Sequence, residues 1–285
     1  MSETLIYFND KLFKEKEAPE LILDRGLFFG DGVFESLRSI RGKTLGLKDH
    51  LQRLFEGMKV LQIEPVWTEN AIENLIQNIT NESGFEECYV RITITRGKWL
   101  GSIPPIVSSK PNLIILCRKF LPFREELYER GFRTITLSIR RNETSPLSRI
   151  KSLNYLDNIL GRMLALEKGV DEGIFLNTQG LLTEGTASNL FLLRDKTLVT
   201  PPVEDGVLPG ITRKIVIEKA SGLGLKIEMK SIRPENIFLF DEAFLTNSLM
   251  GIVPWVHSDG QDIGTGKPGA MTQKIRSLYE NLFKI

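Results

Sequence analysis

Arg149-Ile150-Lys151-Ser152-Leu153-Asn154-Tyr155-Leu156-Asp157-Asn158-Ile159-Leu160 is the stretch that decides how the chain is read, and Lys151 is its centre. Leu153, Leu156, Leu160 and Met163 recur at helical spacing. That predicts an apolar helix face, with Ser152 as N-cap and Gly169 as the stop. A lysine at the mouth of such a helix is either a solvated surface charge or a partly buried amine. Burial disfavours the ammonium, and the neutral amine is the form that forms a Schiff base with a carbonyl. The rest of the sequence decides between the two.

A chain of 285 residues suffices for one large domain or two ordinary ones. A 41% hydrophobic content supports a substantial core, and 26% charged residues match a normal soluble surface. Lys+Arg 37 against Asp+Glu 36 leaves a net charge of +1, so no global field favours nucleic acid, a membrane surface or an acidic partner. Cys88 and Cys117 form no C-x-x-C pair, which predicts reduced thiols. With His50 and His257 as the only histidines, a zinc site has almost no ligands to draw on, and no metal is expected. Met1-Ser2-Glu3-Thr4 has no basic region followed by an apolar run, and no uncharged stretch approaches a membrane span. The expectation is a cytoplasmic protein.

Hydrophobic periodicity predicts short strands at Leu5–Asn9 and Lys11–Phe13, then a glycine- and aromatic-rich stretch, Arg25-Gly26-Leu27-Phe28-Phe29-Gly30-Asp31-Gly32-Val33-Phe34-Glu35. Its glycines imply close backbone approach, positive φ or an ordinary turn before a core strand. Leu47–Gln62 keeps one apolar helical face, with Arg53 beside it, and a second helix fits Glu69–Ile79 capped by Thr68. Cys88–Thr95 alternates strictly, with Tyr89 and Arg91 on the polar face. A strand at Asn112–Cys117 leads to a connector, which divides the chain into residues 1–118, a linker at 119–124 and residues 125–285. Beyond it, short strands from Gly173 to Thr200 read as antiparallel hairpins rather than βαβ units. Gly206-Val207-Leu208-Pro209-Gly210-Ile211-Thr212-Arg213 opens a helix whose first N–H groups form a ready anion site. Gly264-Thr265-Gly266-Lys267-Pro268-Gly269 matches G-x-G-x-x-G but follows no strand and carries a proline, so dinucleotide binding is rejected. No P-loop and no G-x-S-x-G elbow is present.

What remains is Lys151, Glu184, Arg53 and the helix start at Gly210–Thr212. With them, six stretches occur in one order. They are Phe29-Gly30-Asp31-Gly32-Val33-Phe34-Glu35, His50-Leu51-Gln52-Arg53-Leu54, Ile150-Lys151-Ser152-Leu153-Asn154, Thr183-Glu184-Gly185-Thr186-Ala187-Ser188-Asn189-Leu190-Phe191, Leu208-Pro209-Gly210-Ile211-Thr212-Arg213 and Thr246-Asn247-Ser248. Over nearly its whole length the sequence resembles the class IV aminotransferases, the fold-type IV pyridoxal-phosphate enzymes. The resemblance implies an α+β fold. A smaller α/β N-terminal domain would precede a larger C-terminal domain with an antiparallel barrel-like sheet, the active site would lie between them, and the protein would be a homodimer. It also implies pyridoxal 5′-phosphate as cofactor. Lys151 would carry the cofactor as a Schiff base and shuttle a proton between Cα and C4′. Glu184 would pair with the pyridine nitrogen, and Arg53 would grip the phosphate. Ile211, Thr212 and Ser248 would complete the phosphate cup, Leu208 would pack on the ring and Tyr155 would touch O3′.

Within the family, D-amino-acid members use an Arg-x-His pair that Trp99-Leu100-Gly101-Ser102-Ile103 lacks. Branched-chain members carry a Tyr-x-Arg, which Tyr89-Val90-Arg91 resembles. Phe29 and Phe34 would form the apolar side-chain pocket, with backbone around Leu249 near the substrate carboxylate. The expected reaction moves an amino group from a branched-chain or other hydrophobic L-amino acid to a 2-oxo acid such as 2-oxoglutarate. The alternatives are an aminodeoxychorismate lyase, which forms p-aminobenzoate and pyruvate on the same lysine and cofactor, and a silent cofactor binder. Retention of both Lys151 and Glu184 speaks against the silent binder.

Overall fold

Two sheets carry the chain in the computed structural model, which describes residues 3–17, 22–99, 101–104 and 110–283. It divides into one unit of Met1–Leu121 with Ile150–Asn154, and a second of Pro122–Arg149 with Tyr155–Ile285. The Lys151 segment therefore belongs with the first unit, although the sequence on both sides of it lies in the second.

The first unit comprises β1 (Leu5–Phe8), β2 (Lys11–Lys14), α1 (Arg25–Phe29), β3 (Gly32–Ile40), β4 (Lys43–Thr44), α2 (Leu47–Val60), α3 (Glu69–Glu82), β5 (Glu87–Thr95) and β6 (Asn112–Lys119). Its six strands run in the order β2-β1-β6-β5-β3-β4, and every pairing is antiparallel. The alternation of β5 has the predicted consequence. Cys88, Val90, Ile92 and Ile94 are buried in a core shared with Leu51, Leu54 and Met58 of α2 and Ile72, Ile76 and Ile79 of α3. Tyr89, Arg91 and Thr93 lie half-buried on the opposite face. Thr68 caps α3 by accepting a hydrogen bond from the Ala71 N–H. The glycine-rich stretch holds a short helix that the sequence reading did not include. Asp24 caps α1, and Gly30 ends it at φ +64°.

Residues 150–154 lie alongside β3. The Phe34 N–H donates to the Lys151 carbonyl (2.9 Å), the Leu153 N–H donates to the Gly32 carbonyl (2.9 Å), and Val33 bridges Ser152. Ser152 is therefore not a helix cap. Lys151 lies outside the helix, which begins only after Tyr155, its N-cap. The backbone bonds made to β3 outweigh the helical pattern read at Leu153.

The second unit comprises α4 (Glu125–Arg130), β7 (Phe132–Arg141), α5 (Leu156–Glu167), β8 (Glu172–Asn177), β9 (Leu182–Gly185), β10 (Asn189–Arg194), β11 (Thr197–Thr200), α6 (Ile211–Ala220), β12 (Lys226–Met229), β13 (Glu242–Asn247), β14 (Gly251–Ser258), β15 (Gln261–Asp262) and α7 (Ala270–Asn281). Its sheet runs β12-β11-β10-β13-β14-β7-β8-β9, with β15 on β14. The sheet is mixed, not antiparallel as expected. β11–β12, β14–β7 and β7–β8 pair in parallel. The segments bearing α5 and α6 are long enough to return the chain for parallel pairing, a feature that hairpin-length strand spacing hides.

Helix α5 also corrects the sequence reading. Its buried residues are Asn158, Gly161 and Ala165, whereas Leu156, Leu160 and Met163 are 72%, 49% and 59% exposed. A Cβ on Gly161 would fall 2.6 Å from Leu137 Cδ1, so the helix approaches the sheet through its small residues. Gly169 follows its end at φ +68°, as the stop signal predicts. Elsewhere in this sheet Phe191 and Phe244, on β10 and β13, are fully buried and stacked with centroids 4.9 Å apart, and Phe175 on β8 is fully buried near Gly161.

Candidate active site

In the first unit, the candidate residues stand on β3, β5, α2 and the 150–154 segment. Lys151 is half-buried, with Nζ 4.6 Å from the centroid of the Phe34 ring. Phe34 itself is buried, and the Arg91 guanidinium lies 3.9 Å from the same centroid. The Tyr89 hydroxyl is 3.3 Å from Ser36 Oγ. Phe29, on α1, is 40% exposed and packs edge-on against Trp99. Arg53 is buried and engages Glu35 through two parallel bonds, Nε to Oε1 and Nη2 to Oε2, both 2.7 Å. His50 Nδ1 lies 2.8 Å from the same carboxylate. Burial alone would raise the Glu35 pKa, but Arg53 and His50 outweigh it and hold the group at about 2. Burial lowers the pKa of His50, and the charges of Arg53 and Lys151 lower it further against the pull of Glu35.

In the second unit, the candidate residues converge through hydrogen bonds. Glu184, on β9, accepts from Arg141 Nη2 (2.8 Å), the Leu208 N–H (3.0 Å) and Asn189 Nδ2 (3.2 Å). Asn189 Nδ2 also donates to the Leu208 carbonyl (2.9 Å), which fixes the loop before α6. Arg141 Nη1 donates to Asn158 Oδ1 (3.3 Å), Asn158 Nδ2 donates to the Thr186 carbonyl (2.6 Å), and the Tyr155 hydroxyl donates to that same carbonyl (3.3 Å). Glu184 and Tyr155 are thus two ends of one network. Glu172 holds the turn between them, accepting from the N–H groups of Gly173 and Thr186 and the hydroxyls of Thr186 and Ser188. Ile211 and Thr212 open α6 and are buried, and the Gly210 N-cap offers no side chain to their N–H groups. The Thr212 hydroxyl lies 3.3 Å from the Tyr279 hydroxyl. Ser248 and Leu249 form the turn between β13 and β14, and Asn247 Oδ1 accepts from the Leu249 N–H (3.0 Å).

The sequence reading gave no role to Arg141, Glu172 or Asn158, and took Glu35 only as part of a motif. Arg141 and Glu184 are 43 positions apart, so only the fold brings them together. The rejected glycine run is a turn leading into α7, whose first N–H groups at Met271 and Thr272 donate to the Glu242 carboxylate instead of to a phosphate. Leu100, within the segment lacking Arg-x-His, lies outside the described residues. Among the described residues no group of three potential metal ligands occurs, and no helix is long and apolar enough to cross a membrane.

The second unit thus offers an acid tied to a helix-start loop, and the first a lysine held against a buried aromatic ring. The amino-transferase class IV family matches residues 32–257, and the chain belongs to that family. It is 33% identical over 278 residues to a putative branched-chain-amino-acid aminotransferase of Methanocaldococcus jannaschii, covering 97% of this chain and 96% of that protein. It is 30% identical to an aminodeoxychorismate lyase of Bacillus subtilis, covering 98% and 95%. Its structure resembles the T.th. branched-chain amino acid aminotransferase with pyridoxamine 5′-phosphate, with a TM-score of 0.94, 26% identity and coverage of 99% and 95%.

Proposed function

We propose that the protein is a pyridoxal-phosphate aminotransferase, transferring the amino group of a branched-chain or other hydrophobic L-amino acid to a 2-oxo acid such as 2-oxoglutarate. The carrying observation is the placement of Lys151, hydrogen-bonded through its carbonyl to β3 with its amine on the Phe34 ring, in a chain of this family. The residues present fit the cofactor. Gly210 leaves the start of α6 without a side-chain cap, a Cβ there would lie 1.8 Å from Asn189 Oδ1, and Thr246 Oγ1 and Arg141 Nε are buried without a partner. That donor set suits an anion and a ring heteroatom.

When bound, pyridoxal phosphate supplies an electron-withdrawing ring that takes up the electron pair left at the substrate Cα. Lys151 would hold the cofactor through its amine and, when freed, would move a proton between the substrate Cα and C4′. Glu184, which accepts from Arg141 and Asn189, would hold the proton on the pyridine nitrogen. In the first unit Arg53, and in the second the N–H groups of Ile211 and Thr212 with the hydroxyls of Thr212 and Ser248, would offer donors to a phosphate. Glu35 orients the Arg53 fork. Leu208 would pack on the ring and Tyr155 would offer its hydroxyl to O3′. Phe29 and Phe34 would bound the side-chain pocket, while Tyr89 and Arg91 of the first unit and the backbone at Leu249 of the second would each offer donors to the carboxylate. The protein acts in the cytoplasm as a homodimer.

The likeness to the Bacillus lyase supports a second reading, conversion of aminodeoxychorismate to p-aminobenzoate and pyruvate. Incubation with L-leucine and 2-oxoglutarate, with D-alanine, and with aminodeoxychorismate separates the readings by product. Keto acid from L-leucine is the expected outcome, and p-aminobenzoate with pyruvate alone would replace it by the lyase. The wild type should be yellow, and Lys151→Ala should lose both the visible absorbance and turnover. A protein that stays colourless with added pyridoxal phosphate would overturn both readings.

A further inference from the structure

We propose that Arg213 is a positioning residue for the cofactor phosphate: it anchors the first turn of α6 and adds a buried positive charge next to the N–H groups of Ile211 and Thr212. The role deepens the pyridoxal-phosphate reading of this site and rests on it.

Helix propensity makes Arg213 unexpected. Gly210 is the N-cap of α6, so Arg213 is its third residue, where a glutamate or glutamine ordinarily reaches back to a free N–H. A cation in the first turn also opposes the helix dipole, whose positive end lies there. That turn holds no acid. Arg213 is nevertheless only 5% exposed. Burial lowers its pKa, against the pull of the Glu184 and Glu204 charges. Among the described residues no carboxylate closes on it, and Glu184 pairs with Arg141 instead (2.8 Å). A buried charge without a partner ion is costly. Free N–H groups, the dipole and the guanidinium all add positive potential at one helix start, and an anion seated there reconciles them.

The hydrogen bonds show how the side chain acts. Arg213 Nη2 donates to the Pro201 carbonyl (3.0 Å) and Nε donates to Thr200 Oγ1 (3.3 Å). The fully buried Thr200 hydroxyl donates in turn to the Leu190 carbonyl (2.8 Å). Leu190 follows Asn189, whose amide serves Glu184 and the Leu208 carbonyl. One guanidinium thus ties the first turn of α6 to the end of β11 and the start of β10. Arg213 Cβ also stands 3.3 Å from the place a Cβ on Gly210 would take, so the residue packs against the N-cap. Without this anchor the first turn is free to fray, and its N–H groups lose their fixed direction before any anion arrives. Lysine keeps the charge but lacks the planar fork that serves both acceptors at once.

The test is calorimetric titration of cofactor-free wild type, Arg213→Gln and Arg213→Lys with pyridoxamine 5′-phosphate and with pyridoxamine. The two ligands differ only in the phosphate, and neither needs a bond to Lys151. The ratio of their affinities should fall roughly ten- to hundredfold in Arg213→Gln, the worth of a hydrogen bond to a charged group. Arg213→Lys should recover part of it. A residue that merely supports the fold would weaken both ligands alike, so an unchanged ratio in Arg213→Gln overturns the proposal. Thr200→Val removes one anchor and leaves the charge, and it should lower the ratio about two- to tenfold. That variant decides the matter if Arg213→Gln does not fold, and a wild-type ratio in it would again overturn the proposal. A wild type that binds neither ligand and stays colourless with pyridoxal phosphate would instead overturn the underlying reading.

Discussion

Asn189 serves two groups with one amide. Its Nδ2 donates to Glu184 and to the Leu208 carbonyl, while its Oδ1 occupies the space that a Cβ on Gly210 would need. Gly210→Ala should therefore push Asn189 off Glu184. We expect a loss of about 1–3 kcal/mol, the usual range for overpacking a filled site, together with weaker retention of pyridoxal phosphate. Thermal melts and cofactor titration read the two effects, and an unchanged melting temperature with unchanged affinity would disprove the link. Glu184 and Gly210 were legible in the sequence because each stands in a run with a recognisable order. Arg141 was not. It ends an alternating strand like many surface arginines, and nothing local marks the contact it makes 43 residues away. Glu35 was hidden for a similar reason, since its partner Arg53 lies on the following helix.

Helix α5 separates what periodicity reveals from what it leaves open. Spacing placed the helix but not the side that faces inward. The leucine stripe was the natural choice, yet Asn158, Gly161 and Ala165 meet β7 and β8, and Leu156, Ile159, Leu160, Met163 and Leu166 stay exposed. Two substitutions one position apart test this. Gly161→Ala should destabilise the fold by about 1–3 kcal/mol, because its Cβ meets Leu137. Leu160→Ser should leave unfolding of the subunit within about 0.5 kcal/mol and weaken the proposed homodimer, for which this face offers apolar surface. Denaturant melts with sedimentation distinguish them, and a Leu160→Ser subunit as unstable as Gly161→Ala would reject the assignment. Helices α2 and α3 were read more faithfully, because the apolar stripe of α2 agrees with its buried side and Thr68 caps α3 as expected. The parallel strand pairs were not legible, because pairing direction depends on where a crossover returns and not on the strand's own residues.

At the scale of the whole molecule, acid should weaken the fold in two stages. Folded His50 has a pKa lowered by burial from 6.5, so below about that value the unfolded chain binds the extra proton first. Stability is complete above 6.5 and declines as pH falls through and below it. Glu35, at about 2 in the fold against an ordinary value of 4.5, adds a second loss as pH falls from 4.5 towards 2. Melting temperatures measured from about pH 8 to about pH 2 should drop in that order, and a flat profile between about pH 7 and pH 5 would contradict the first stage. The path of the chain has a separate consequence. It passes between the units three times, after Leu121, Arg149 and Asn154, and five residues interrupt the second unit to lie along β3. No single cleavage releases either unit whole. A fragment ending at Leu121 keeps Phe34 and Arg91 but has no amine to place on them, and its complement carries Lys151 away from its supporting strand. The chemistry proposed for Lys151 is thus not modular: neither fragment, expressed alone, should keep that amine on its supporting strand.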